Sequence, residues 1–197
     1  MNVTIIGSSD AFARGIATWA TAVGHHITIV GPSRAQAEDF VAQIGSGQAA
    51  GPREPLRDNV IVVAMPYMCV LDARDSYGQQ LDGRIVIDVT TPLDFGYEPV
   101  QPDAGSVAEE LVSAGNARVV KAFHPRFSIP SVLGRHAADT PEVFLAGDDE
   151  DAKRVVKEFF EHGGLRSIDV GPLRSARDLE TMGTATVTAP HGHGRSS

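Results

Sequence analysis

The segment from Asn2 to Arg34 constrains this chain most. An apolar run, Val3-Thr4-Ile5-Ile6, enters a turn of mostly small residues, Gly7-Ser8-Ser9-Asp10-Ala11-Phe12-Ala13-Arg14-Gly15. Helical periodicity follows to Val23-Gly24, and a second apolar run, Ile27 to Val30, closes the unit. Strand, tight turn, helix and strand in about thirty residues open a dinucleotide-binding fold. The tight turn presents backbone N–H groups at a helix start to a pyrophosphate, and the helix dipole favours the negative charge.

The same alternation continues. Strand-like runs are expected at Val3–Ile6, Ile27–Val30, Val60–Ala64, Arg84–Val89, Arg118–Ala122, Val143–Ala146 and Ile168–Val170. Most are continuously apolar, as parallel strands covered on both faces should be. Helices are expected at Ala11–Ala22, Arg34–Ile44, Tyr67–Tyr77, Val107–Ala114, Asp149–His162 and Leu173–Met182. The pattern predicts an α/β, Rossmann-like, doubly wound and mainly parallel sheet, with ligands beyond the carboxyl ends of its strands. One domain over 1–183 and a disordered tail over 184–197 are expected. Gly45–Pro55 reads as a plain surface loop, and Pro92–Gly105 is long enough to cover a site.

Several function classes lose support on composition. A formal net charge of -8 in 197 residues gives a nucleic-acid partner no electrostatic basis. No apolar run approaches the ~18 residues that cross a bilayer, and no basic n-region opens the chain. The single cysteine, Cys69, suits a reducing cytoplasm. His191 and His193 in the tail lack further ligands for a metal site, so none is expected.

The turn departs from Gly-x-Gly-x-x-Gly/Ala, and two alignments are open. In one, Gly7, Ser9 and Phe12 hold the glycine positions, which sets bulky Phe12 where helix and strand must touch. In the other, the loop is one residue longer and Ala13 takes the third position, a better fit. In both, the middle glycine is replaced by Ser9 or Asp10, and Asp10 can cap the helix with the amides that a phosphate would use. After the second strand, Gly31-Pro32-Ser33-Arg34 lacks the acidic residue that binds a ribose 2′-hydroxyl. Ser33 and Arg34 can hold a 2′-phosphate instead, or serve as a helix cap and a solvated arginine.

Further motifs accumulate along the chain. They are Ala64-Met65-Pro66-Tyr67, Asp88-Val89-Thr90-Thr91-Pro92-Leu93-Asp94-Phe95, Val119-Val120-Lys121-Ala122-Phe123, Ala146-Gly147-Asp148-Asp149, Gly163-Gly164-Leu165-Arg166 and Gly171-Pro172-Leu173. In this order and spacing the chain, up to about Met182, resembles the NADP oxidoreductases that work with an 8-hydroxy-5-deazaflavin coenzyme (the F-420 type). The resemblance implies an often dimeric assembly and hydride exchange between NADPH and the deazaflavin; the expectation for this chain is a homodimer in which NADPH donates hydride to a deazaflavin or a small organic acceptor. It also implies that Ser8, Ser9, Ala11, Phe12 and Ala13 lie along the phosphates beside Gly7, with Ser33 and Arg34 at the adenosine end. Met65, Pro66, Tyr67, Val89 and Thr90 would border the ribose and nicotinamide, and Ala122 the deazaflavin. Departures fall at the same places: Thr91 stands where the family has Asn, His124-Pro125 where it has Asn-Thr, and Thr184–Thr188 replaces an apolar run. They suggest a repurposed member, with a cyclase, dehydratase or isomerase that has weakened or lost the dinucleotide as the alternative.

His124 is the candidate catalytic residue. It follows the fifth expected strand, where sites in such sheets form, and an imidazole there can move a proton near neutral pH. A structural histidine hydrogen-bonded to a loop is the competing reading. Lys121, inside an apolar strand, can pair with a carboxylate or reach the site. Asp88 and Asp94 read as turn-forming or capping carboxylates. His25 and His26 lie in a helix-to-strand turn, far from the strand carboxyl ends, and no function is assigned to them.

Overall fold

The structure is a computed structural model that describes residues 1–7, 11–113, 115–124 and 141–188, with backbone alone for Ala11 and Phe12. Ser8, Ser9, Asp10, Pro125 and His191–His193 therefore lie outside the described residues. Eight strands form one sheet: β1 (Asn2–Gly7), β2 (His26–Val30), β3 (Gln48–Ala50), β4 (Val60–Ala64), β5 (Ile85–Asp88), β6 (Arg118–Phe123), β7 (Glu142–Gly147) and β8 (Arg166–Asp169). Their spatial order is β3-β2-β1-β4-β5-β6-β7-β8. Every neighbouring pair is parallel except β6 with β7. This is the doubly wound architecture expected from the alternating pattern, and its first six strands follow the order 3-2-1-4-5-6.

The continuous apolar runs sort themselves by pleat. Val3, Ile5, Val60, Val62, Ile85 and Ile87 face one layer with helices α1 (Ala11–Ala22), α2 (Arg34–Ile44) and α5 (Glu150–His162). Ile6, Ile61, Val63 and Val86 face the other, with α3 (Tyr67–Leu81) and α4 (Val107–Val112). Side chains on a strand alternate faces, so a run apolar at every position feeds two cores at once. On α5, Ala152, Val156, Phe159 and Phe160 are fully buried. Phe159 and Phe160 meet Trp19 of α1 with ring centroids 5.2 and 5.6 Å apart. Gly163 ends α5 where a Cβ would lie 2.3 Å from the Trp19 ring, so this corner admits only glycine.

Two elements differ from expectation. Gly45–Pro55 contains the edge strand β3, which among the described residues pairs with β2 and is three residues long with two half-buried alanines, too short a run to announce itself. The last helix begins as a 3-10 turn at Leu173–Ser175 and runs on as α6 (Ala176–Thr188), five residues into the segment expected to be a tail. Its buried side is Ala176, Leu179, Glu180 and Gly183. No described helix is long and apolar enough to cross a membrane.

Candidate functional site

The site follows from the topology. Chain leaving β1 returns through α1 to β2 on one side, whereas chain leaving β4 continues through α3 to β5 on the other. The crevice between β1 and β4, at their carboxyl ends, is where such sheets hold ligands. Its floor is Gly7. A Cβ there would sit 2.3 Å from the Ala64 carbonyl oxygen and 3.1 Å from the Ala13 Cβ. The first turn of α1 can therefore press on the sheet only because residue 7 has no side chain and residue 13 is an alanine. Ala13 is fully buried at this contact.

Beyond the carboxyl end of β2 the structure brings together groups that the sequence keeps apart. Ser33 caps α2, its hydroxyl oxygen accepting from the Gln36 amide at 3.2 Å, so part of its hydrogen-bonding capacity is used locally. Arg34 opens the same helix. One terminal nitrogen of its guanidinium donates to both oxygens of Glu54, at 2.5 and 2.6 Å, and the other donates to the Ala49 carbonyl at 3.3 Å. Glu54 also accepts from the Gly51 amide at 2.8 Å. That amide first, and Arg34 second, hold the Glu54 carboxyl below its usual range. Glu54 lies in the loop after β3, twenty residues beyond Arg34.

Met65 and Pro66 are half-buried at the start of α3, where Pro66 takes the cap position without a side-chain bond. Tyr67 points into the second core layer, and its hydroxyl donates to Glu110 at 3.1 Å. Burial, and then this bond to a carboxylate, push the phenol up to about 12. Val89 and Ala122 are buried in the first core layer, so they offer wall rather than polar contact. Thr90 is buried too; its hydroxyl has no partner among the described residues. His124 is buried directly beyond the carboxyl end of β6. Asp94 shapes the loop after β5, its Oδ1 accepting from the Gly96 and Glu98 amides at 2.7 and 2.9 Å.

Behind Thr90 lies a buried charge cluster. The Lys121 ammonium donates to Asp88 at 2.8 Å and to the Thr90 carbonyl, and pairs with Glu180 of α6 at 3.0 Å. Asp88 uses its other oxygen to accept from the Thr90 amide at 2.8 Å. Both Glu180 oxygens accept from the Val107 amide, at 3.0 and 3.1 Å, at the start of α4. Burial alone would lower the Lys121 pKa, but the two carboxylates outweigh it and hold the ammonium above its ordinary range. Burial pushes the Glu180 carboxyl up, with Lys121 pulling against it. The cluster ties β5, β6, α4 and α6 together. Gly183 completes the approach of α6, since a Cβ there would meet the Thr91 hydroxyl at 3.2 Å and the Phe123 ring at 3.3 Å.

The sequence flagged Lys121 and Asp88 individually but not Glu180 or Glu54. A lysine inside an apolar strand signals that carboxylates must exist somewhere; it does not say on which helix.

The family model for NADP oxidoreductases dependent on coenzyme F420 matches residues 2–92, from β1 through the loop that follows β5. Over that stretch the chain is similar to this family. The F420-dependent NADP reductase of Methanocaldococcus jannaschii is 31% identical over 134 residues, which are 63% of this chain and 58% of that protein. The metalloreductase STEAP3 of Rattus norvegicus is 30% identical over 181 residues, 91% of this chain and 36% of that one. The chain thus spans under two thirds of the length of both relatives. A hypothetical protein from Sinorhizobium meliloti superposes with a TM-score of 0.76 at 26% identity, covering 89% of this chain and 88% of its own.

Proposed function

We propose that this chain is an NADPH-dependent oxidoreductase acting between NADPH and a deazaflavin coenzyme or a small organic acceptor. The observation that carries the reading is the junction at Gly7, where a missing Cβ lets α1 start hard against the sheet at the crevice between β1 and β4. Such a junction leaves the first amides of the helix facing outward, toward a pyrophosphate. The likeness of residues 2–92 to the F420-dependent NADP oxidoreductases supports the same reading. NADPH would supply the hydride.

The chain's own residues then have definable tasks. Gly7 and Ala13 keep room for the pyrophosphate, and Arg34 offers its guanidinium to the 2′-phosphate. Met65 and Pro66 border the ribose. The Thr90 hydroxyl, buried and unpartnered among the described residues, is available to a ribose hydroxyl or a carboxamide. Val89 and Ala122 wall the reaction from water, which matters because hydride transfer relies on close approach of two carriers more than on side-chain chemistry. Tyr67 acts from behind this wall, since its hydroxyl is engaged with Glu110. His124 holds a proton on its imidazole for an acceptor that is a carbonyl or imine.

Fluorescence titration with NADPH tests the reading. Saturable binding is expected; none at about millimolar cofactor would favour a non-redox enzyme that kept the fold. Against a panel of acceptors, His124→Ala should slow reduction of carbonyls and imines while leaving NADPH affinity unchanged. Equal turnover would remove the proton-donor role alone. The reading includes a homodimer, for which Phe95 and Tyr97 on the loop after β5, and Met182 on α6, leave exposed apolar area. Light scattering at assay concentration decides that point.

A further inference from the structure

We propose that Glu54 sets the choice between NADPH and NADH by competing for Arg34. This inference rests on the dinucleotide reading above and goes beyond it by naming the group that determines cofactor specificity. An arginine opening the helix after β2 is where a 2′-phosphate would be bound. Here that position is already filled by an anion: the two oxygens of Glu54 stand at 2.5 and 2.6 Å from one guanidinium nitrogen. The other terminal nitrogen is turned to the Ala49 carbonyl and to Glu38, at 3.3 and 3.8 Å.

The loop that carries Glu54 is fitted to this task. Gly51 lies so close that a Cβ there would come within 3.0 Å of Glu54 Oε1 and 3.7 Å of the Arg34 Cβ. The Gly51 amide fixes the carboxylate from the other side at 2.8 Å. Glu54 is therefore a held ligand of Arg34, not a passing surface partner, although both side chains remain about half exposed. A 2′-phosphate entering this corner has to displace the carboxylate and lie beside it, and two anions on one guanidinium repel. A ribose with a free 2′-hydroxyl meets the opposite situation, since Glu54 is an acceptor for that hydroxyl and no charge is displaced. The structure thus gives NADH a foothold that a bare arginine would deny it.

The test isolates this corner with 2′,5′-ADP and 5′-ADP, which differ only in the 2′-phosphate, titrated by calorimetry into the full chain. In the wild type the two should bind within a few-fold of each other. Glu54→Gln, and independently Glu54→Ala, should shift preference toward 2′,5′-ADP by about tenfold, the weight of one charge-assisted pair released to the phosphate. Arg34→Ala should move the ratio toward 5′-ADP, and added to Glu54→Gln it should cancel that variant's gain for 2′,5′-ADP. If both nucleotides bind and either Glu54 variant leaves their ratio unchanged or moves it toward 5′-ADP, the competition is refuted while the dinucleotide reading stands. If the wild type binds neither nucleotide nor NADPH, both fall together.

Discussion

Replacing Lys121 with methionine should be the most damaging conservative change outside the apolar core. The two side chains have similar volume, so packing is roughly kept, but Asp88 and Glu180 lose the ammonium that lies 2.8 and 3.0 Å from them. All three groups are essentially excluded from water. Stripping one partner from a buried ion pair costs about 3–5 kcal/mol, because the remaining charge is left uncompensated. At about 2–4 °C per kcal/mol for a chain of this size, the expected fall in Tm is roughly 6–20 °C. Chemical denaturation with an unchanged m-value would give the same loss.

The pH dependence has a definite sign. Lys121 has its folded pKa raised, so what it contributes is complete below about pH 10.5 and is lost only as pH rises beyond that value. In Lys121→Met, Glu180 loses its attractive partner while burial still pushes it up, so its ionised form is costly in the fold. Acidification through its raised folded pKa protonates it and recovers stability, and the gap to wild type should narrow as pH falls toward about 4.5. Adding Glu180→Gln and Asp88→Asn to Lys121→Met should restore most of the loss, since it removes the stranded charges. A loss under about 1 kcal/mol for Lys121→Met, equal at pH 5 and pH 8, would refute the buried-cluster argument.

Further expectations follow from the same geometry. Gly7→Ala places a methyl 2.3 Å from the Ala64 carbonyl oxygen and should cost about 1–3 kcal/mol or more while weakening NADPH, read by thermal unfolding and titration. Gly163→Ala forces the Trp19 ring out of its place against Phe159 and Phe160, with a similar stability loss and a changed tryptophan emission spectrum. Burial depresses the pKa of His25, whose ring nitrogens face the N-terminal amine and the Phe159 carbonyl. Its neutral form therefore stabilises the fold above about pH 6.5, and that contribution is lost as pH falls below. A Tm that declines from pH 7.5 to 5.5, and declines less in His25→Gln, checks this sign.

The sheet was legible because its strands are buried on both faces, and such burial leaves runs like Val60–Ala64 that have no other reading. Edge strand β3 was not, since one exposed glutamine and two half-buried alanines make no apolar run. Ser33 reads as either a cap or a phosphate ligand; its oxygen accepts from the Gln36 backbone amide and its hydroxyl donates to Gln36 Oε1, so it is a cap whose proton a phosphate would have to take from Gln36. Lys121 announced itself by its cost in an apolar strand, but Glu180 sits fifty-nine positions later on an amphipathic helix, where glutamate is ordinary. Glu54 escaped for a related reason. Acid after β2 is a positional expectation, and here a carboxylate arrives from a different loop, through a turn organised by the Gly51 amide.

A crystal structure of the chain soaked with NADPH tests the central claim most directly. The account predicts a diphosphate on the amides that open α1, beside Gly7 and Ala13, with the 2′-phosphate on Arg34 and Glu54 swung aside. A complex in which Ser9 or Asp10 fills those amides, and no nucleotide lies between the ends of β1 and β4, would contradict it.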